Sequence, residues 1–491
     1  MLSTLLLPSA ASPSGPQATL QAATGPSCIS HPLGFPTQTD NEASYVAADV
    51  WYAHGSFGDD TFTRCNQWGD LYNCGEFLPT PMLECESGGH GPNDAFTHTW
   101  LIGPFTSTGG YDWFDVEFKT NLSPRHQAVG AFSFSFHEGV PSADGPPGAQ
   151  LGLPPIHNHH STLAETSLDG AEFRIQGDSL CAEGDPFACQ SRDLEKLGYM
   201  QPLLSKSREV RLNSLFNDVR PLNSSRMTWY FNLTLSFVAP AAVAARTLTP
   251  IGEFLAKHHS AADSFFYTVD VPMHNDSFIA FEVRPTRSGT LLADPSIIRH
   301  HSHVHNFHSS FLVKASAAEL GLDDPRFYAA SACDARETRD AGFRSNEKML
   351  NYLVGRCPSC FSLTAPNTKL MCRANSSIAE VGGKGYDRMA KVDCSASLIP
   401  FRRGDVFTSI SFLGPHHGVE FYPMPSMYGS SRIVDDETHE VIELRPRAEG
   451  YFPMHTNWWL YYLPSALDEP VAEQLNGDVL SRGPFDADHC V

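Results

Sequence analysis

AFSFSFH, residues 131–137, places Phe132, Phe134 and Phe136 at every second position with serines between them. Side chains alternate faces along an extended strand, so the three rings share one face and the serines share the other. RMTWYFNLTLSFV (226–238), SFIAFEVRP (277–285), DVFTSISFL (405–413) and NWWLYYLP (457–464) are likewise rich in β-branched and aromatic residues and bounded by turn formers. Thirty-seven glycines and 36 prolines punctuate these runs, and long helical periodicity is scarce. This pattern predicts an all-β sandwich protein, with short helices only at 250–259 and 346–354.

At 491 residues the chain is too long for one ordinary core. The segment APAAVAARTLTPIGEFLAKHHSAAD (239–263) interrupts the strand pattern and reads as a connection between domains. The expected architecture is two antiparallel, jelly-roll-like β-sandwich domains in tandem, the first at 41–240 and the second at 264–466, joined by a linker at 241–263. A tail at 467–491 follows. The leader at 1–40, opening MLSTLLLPSAASPSGPQA, reads either as a signal peptide with a short apolar run or as a disordered segment.

Fifty-five acidic against 34 basic residues give a net charge of −21, and no polybasic run breaks that balance. Nucleic acid and anionic membrane surfaces are therefore poor partners. The most apolar segment, FVAPAAVAA (237–245), falls far short of the roughly 20 residues of a membrane span. Twelve cysteines are spread along the chain. The pair in RCPSC (356–360) has zinc-ligand spacing, but a zinc ribbon needs a second close pair, and Cys372 and Cys394 stand apart. Disulfides are the better expectation. Together with N-x-S/T sequons at Asn121, Asn223, Asn232, Asn275 and Asn375, they point to a secreted or secretory-lumen glycoprotein.

Eight of the 22 histidines fall in two windows, one in each expected domain. LPPIHNHHSTL (153–163) holds His157, His159 and His160, and IIRHHSHVHNFHSSFLV (297–313) holds His300, His301, His303, His305 and His308. Strand alternation sends His301, His303 and His305 to one side, and His157 and His159 likewise. Imidazoles at i and i+2 can share one ion at about 2 Å. Imidazole suits zinc, copper, nickel and iron alike.

Three further fragments narrow the choice. YTVDVPMHNDSFIAFEV (267–283), HVHNF (303–307) and the pair RGDVFTSISFL (403–413) with MHTNWWLYY (454–462) resemble, in order, parts of the ascorbate-dependent type II copper monooxygenases. That is the family of peptidylglycine α-hydroxylating monooxygenase and dopamine β-monooxygenase. The resemblance implies a catalytic copper held by His303, His305 and Met454. NHHSTL (158–163) is similar to the family's paired His-His, which implies an electron-supplying second copper at His159 and His160. The family's third histidine for that copper has no counterpart, since no histidine occurs between 161 and 257. His157, His258 and His259 remain the alternatives. Pro453-Met454-His455 replaces the family's Glu-Met-Cys, so His455 competes with Met454 as the ligand. The implied activity is hydroxylation of a C–H bond in a small organic or peptide substrate, using dioxygen, two coppers and ascorbate. The rival is a non-catalytic secreted β-sandwich that binds metal, carbohydrate or peptide. GDSL (177–180) with DADH (486–489) offers a serine-esterase motif, but AEFRIQ before it is not the apolar parallel strand such a nucleophile requires.

Overall fold

The computed structural model describes residues 27–31, 51–55, 82–107, 112–142, 148–165, 173–177, 191–203, 208–218, 220, 224–257, 269–272, 277–285, 287–294, 297–302, 307–322, 346–381, 384–395, 398–413, 430–434, 441–446, 451–454 and 456–465. The fold is all-β and the sheets are antiparallel apart from one short parallel pairing, Tyr199–Pro202 against Thr249–Pro250. Among the described residues, no sheet pairs a strand of 27–250 with a strand of 252–464.

The first half builds two sheets. One runs Ser27–His31, Met82–Gly88, Phe96–Ser107, Met227–Phe237, Ala128–Glu138, Tyr199–Pro202 and Thr249–Pro250, with two short strands added to Ala128–Glu138. The other runs Trp51–Gly55, Asp112–Asn121, Glu209–Asp218, Ile156–Glu165 and Arg174–Gly177. Both contribute to one hydrophobic cluster. Phe132, Phe134, Phe136, Trp229 and Phe231 meet Phe216, Leu212 and Leu163 of the second sheet. The alternating phenylalanines thus all reach the core, and the Phe136 ring lies 5.2 Å from Phe216 and 5.4 Å from Phe231. Complete burial of such a ring contributes roughly 1.5–3 kcal/mol, which is why register follows the apolar face. The ladder between Phe96–Ser107 and Met227–Phe237 is irregular between Trp229 and Phe231. Gly103 sits opposite that irregularity at φ +147, where a Cβ would come within 2.7 Å of the Tyr230 Cβ. Glycine is required there both for the backbone conformation and for the close approach.

The second half also pairs two five-stranded sheets. One runs Ser277–Val283, Phe407–Leu413, Phe307–Val313, Leu370–Val381 and Lys384–Cys394. The other contains Gly252–Lys257, Thr456–Pro464, Gly289–Leu291 and Ile399–Phe401, with Arg299–Ser302 added to Thr456–Pro464. Phe254, Phe401 and Phe407 pack between them at ring separations of 5.2–6.0 Å. A separate cluster, including Leu320, Met349, Leu353, Leu370 and Ile410, involves the helices Ala317–Leu320 and Asn346–Arg356. The expected helix at 346–354 is present. The one expected at 250–259 is not, because Gly252–Lys257 is a strand paired with Thr456–Pro464. Phe254 and Ala256 alternate into the core there, so ladder bonds and apolar burial override local helix preference. Instead a short helix spans Pro240–Ala245, with proline in its first turn and Arg246 closing it in the left-handed conformation.

Among the described residues the cysteines form disulfides, Cys28–Cys85, Cys357–Cys360 and Cys372–Cys394. The RCPSC pair is therefore closed on itself, and Cys372 and Cys394 are each other's partners across adjacent strands. No described helix is long and apolar enough to cross a membrane.

Candidate metal centres

Of the residues implied for the catalytic copper, His303 and His305 lie outside the described residues, as does His455. The backbone on either side of them is described. Arg299–Ser302 runs antiparallel to Thr456–Pro464, with His301 opposite Asn457 and Ser302 opposite Thr456. Met454 ends the neighbouring strand Tyr451–Met454, where it pairs with Val269. The pair Ser302/Thr456 therefore stands one residue before His303 and two residues after Met454. The aromatic strand Thr456–Pro464 is anchored by Trp458, which is fully buried and donates its indole N–H to Ser310 Oγ at 3.2 Å.

His157, His159 and His160 all lie on the strand Ile156–Glu165. Its register against Glu209–Asp218 shifts: Asn158 faces Phe216 while His160 faces Leu215, leaving His159 as the extra residue. A bulge there interrupts the strand's period of two between Asn158 and His160. His157 is buried at 1% exposure. His258 and His259 lie outside the described residues.

Among the described residues, one group of three His, Cys, Asp or Glu donors converges, and it contains none of these histidines. It consists of Glu86, His98 and His126. Glu84 and Glu86 are two apart on Met82–Gly88, and the register places Glu86 opposite His98 and Glu84 opposite Trp100. The cross-strand pair Cys28–Cys85 ties the outer strand Ser27–His31 to the same segment. His98 occupies the inward-facing stripe Phe96, His98, Trp100, Ile102, where an apolar residue would be expected. His126 comes from the turn after Asp112–Asn121, closed by its own N–H to the Ser123 carbonyl at 3.0 Å. Arg208 donates to the His126 carbonyl at 2.6 Å and holds that turn in place.

His98 Nδ1 and His126 Nε2 are 3.0 Å apart. Glu86 Oε1 lies 3.1 Å from His126 Nε2 and 3.9 Å from His98 Nδ1. On the far side of the His98 ring, Nε2 is 2.7 Å from Glu84 Oε1. Arg125 approaches the other Glu86 oxygen at 3.4 Å. The rings of Phe96 and Phe237 stand edge-on to His126 at 5.0 and 4.6 Å, and Trp100 lies 4.3 Å from His98. Burial, then the neighbouring His98 and Arg125, outweigh the Ser123 carbonyl and Glu84 and push the His126 imidazole down to about 4. His126 is therefore neutral at ordinary pH, the form in which imidazole binds metal.

Sequence reading missed this group because its histidines stand singly, in FTHTW and SPRHQ, 28 positions apart. Its only local signal is the alternation Glu84-Cys85-Glu86, which puts two carboxylates on one strand face.

No family model matches the chain, and no curated protein matches it. Among solved structures it is similar to the crystal structure of PBCV-1 VP54 fitted into a cryo-EM reconstruction of the virophage Sputnik. The two share 10% identity over 74% of this chain and 93% of that one, with a TM-score of 0.18. So low a score carries no weight for fold or function.

Proposed function

We propose that the chain is a secreted copper-dependent monooxygenase that hydroxylates a C–H bond of a small organic or peptide substrate. One observation carries the reading: the register of Arg299–Ser302 on Thr456–Pro464, which brings the chain entering H-x-H alongside the chain leaving Met454. These segments are about 150 residues apart in sequence, so only tertiary pairing makes them neighbours. The donor types fit the metal, because two imidazoles suit copper and a thioether favours its reduced state. Copper held by His303, His305 and Met454 would supply one-electron activation of dioxygen, with ascorbate as reductant.

In this reading the work of the chain is positional. The buried Trp458 fixes the strand after Met454, and its indole bond to Ser310 ties that strand to the opposite sheet. The bulge at His159 fits an electron-supplying copper at His159 and His160, since bulges are common beside active sites. The disulfides suit an oxidising compartment.

Copper per chain and ascorbate-dependent oxygen uptake, compared between wild type and His303→Ala, test the proposal. The expected result is about two coppers in the wild type, with one copper and the oxygen uptake lost in the variant. An unchanged copper count and unchanged uptake would overturn it. A second reading, a non-catalytic metal-binding sandwich, is favoured by the Glu86, His98 and His126 group, which lies off every copper motif.

A further inference from the structure

We infer that Glu86, His98 and His126 form a site for one divalent transition ion of the zinc class, separate from any copper at the H-x-H segments. His126 Nδ1 lies 3.1 Å from the Ser123 carbonyl oxygen and 2.8 Å from the Ser123 hydroxyl; with the ring proton on Nδ1 and donated to the carbonyl, Nε2 carries a lone pair. His98 Nε2 lies 2.7 Å from a Glu84 carboxylate oxygen; with that ring's proton on Nε2, its Nδ1 carries a lone pair. The two bare nitrogens then face each other at 3.0 Å, with a carboxylate oxygen 3.1 Å from one of them. In that protonation pattern three acceptors converge, two on buried rings and one on the partly exposed Glu86, and a cation would satisfy all three.

The spacing suits a metal ion. A triangle with sides of 3.0, 3.1 and 3.9 Å has a circumradius of about 2 Å, which is the zinc–nitrogen and zinc–oxygen bond length. An ion at that point lies within bonding reach of all three donor atoms. Two imidazoles and one carboxylate suit zinc, copper or nickel over calcium and magnesium, which prefer all-oxygen shells. The outer partners follow the pattern of built metal sites. Glu84 sits behind His98, the Ser123 carbonyl behind His126, and Arg125 beside the free oxygen of Glu86. Phe96, Phe237 and Trp100 form apolar walls. The ion would join Met82–Gly88 and Phe96–Ser107 to the 122–127 turn, which is a structural role.

The test uses the full chain stripped with a chelator and titrated with Zn(II), with bound zinc counted after dialysis. Co(II) replaces zinc in a parallel series read by its visible absorption. The proteins are the wild type, Glu86→Gln, His126→Gln and the double variant His303→Ala/His305→Ala. The double variant is expected to keep one tight Zn(II) and a Co(II) spectrum with nitrogen ligands. Glu86→Gln is expected to bind Zn(II) at least about 100-fold more weakly, and Zn(II) should raise the melting temperature of the wild type but not of this variant. Equal Zn(II) affinity in wild type and Glu86→Gln would overturn the inference. So would a double variant that holds no zinc, which would mean that a proton shared between the two rings satisfies them instead. The latter arms use the intact site, so they decide the matter even if a ligand substitution fails to fold. None of these readouts depends on copper or oxygen uptake, and the monooxygenase reading can fail without them.

Discussion

The histidines of the second half and the convergent pair of the first are placed in different ways. In the second half, five histidines crowd into residues 300–308. In the first half, the convergent pair is His98 and His126, each alone in its stretch and brought together inside an aromatic core. Density in sequence and convergence in space are different properties. Density arises from a strand's own period of two, whereas convergence depends on which strands pair and in what register.

The cores differ in the same way. The first half closes its two sheets on one aromatic cluster. The second divides its apolar contacts between a layer of phenylalanines among its sheets and a helix-covered cluster next to two disulfides. Phe136→Ala attacks the first arrangement and should cost about 3–5 kcal/mol, measured as a lowered urea midpoint. A loss under about 1 kcal/mol would show that the first core is not the single packed unit described. Cys372→Ser with Cys394→Ser attacks the second. The loop spans 22 residues, so chain entropy predicts a loss of about 3 kcal/mol. A change confined to the Phe136 variant would locate the stability of the chain in its first half.

The smallest expected effect concerns the Asp405–Lys314 pair, at 2.7 Å. Burial opposes ionisation of Asp405, but hydrogen bonds from the Lys314 ammonium and the Arg402 N–H outweigh it and hold the carboxyl below its ordinary value. A carboxyl lowered in the folded state contributes stability that is complete above its unfolded value near 3.8. That stability is lost as pH falls through the folded value. Exposed pairs are worth at most about 1 kcal/mol. Lys314→Met should therefore flatten the acid limb of stability slightly below pH 4 while leaving the neutral limb parallel to wild type. An acid limb identical to wild type would show that the pair contributes nothing.

Strand identity was readable from the sequence because period-2 burial is local. The phenylalanines of 131–137 and the aromatic run of 457–464 lie on strands with the expected apolar faces. The disulfide character of the cysteines was readable from their number and spacing, though the pairing of Cys372 with Cys394 was not. One expectation failed, and one strand carries an irregularity the sequence did not announce, for the same reason. The helix expected at 250–259 is a strand at Gly252–Lys257, and the ladder of Ile156–Glu165 carries a bulge at His159; both depend on a partner strand far away in sequence.

The sequence by itself determined the all-β class, the inward faces of the main strands and the histidine-rich segments, since each follows from neighbours within a few residues. Tertiary structure alone decided that Glu86 faces His98, that His126 joins them from a turn, and that Ser302 stands opposite Thr456 near Met454. Those facts are set by register, and register is chosen by the burial of whole strand faces. A stripe of Phe96, Trp100 and Ile102 committed to the core carried His98 in with it. Burying that ring set it beside His126 and Glu86, the group we infer to hold a metal ion.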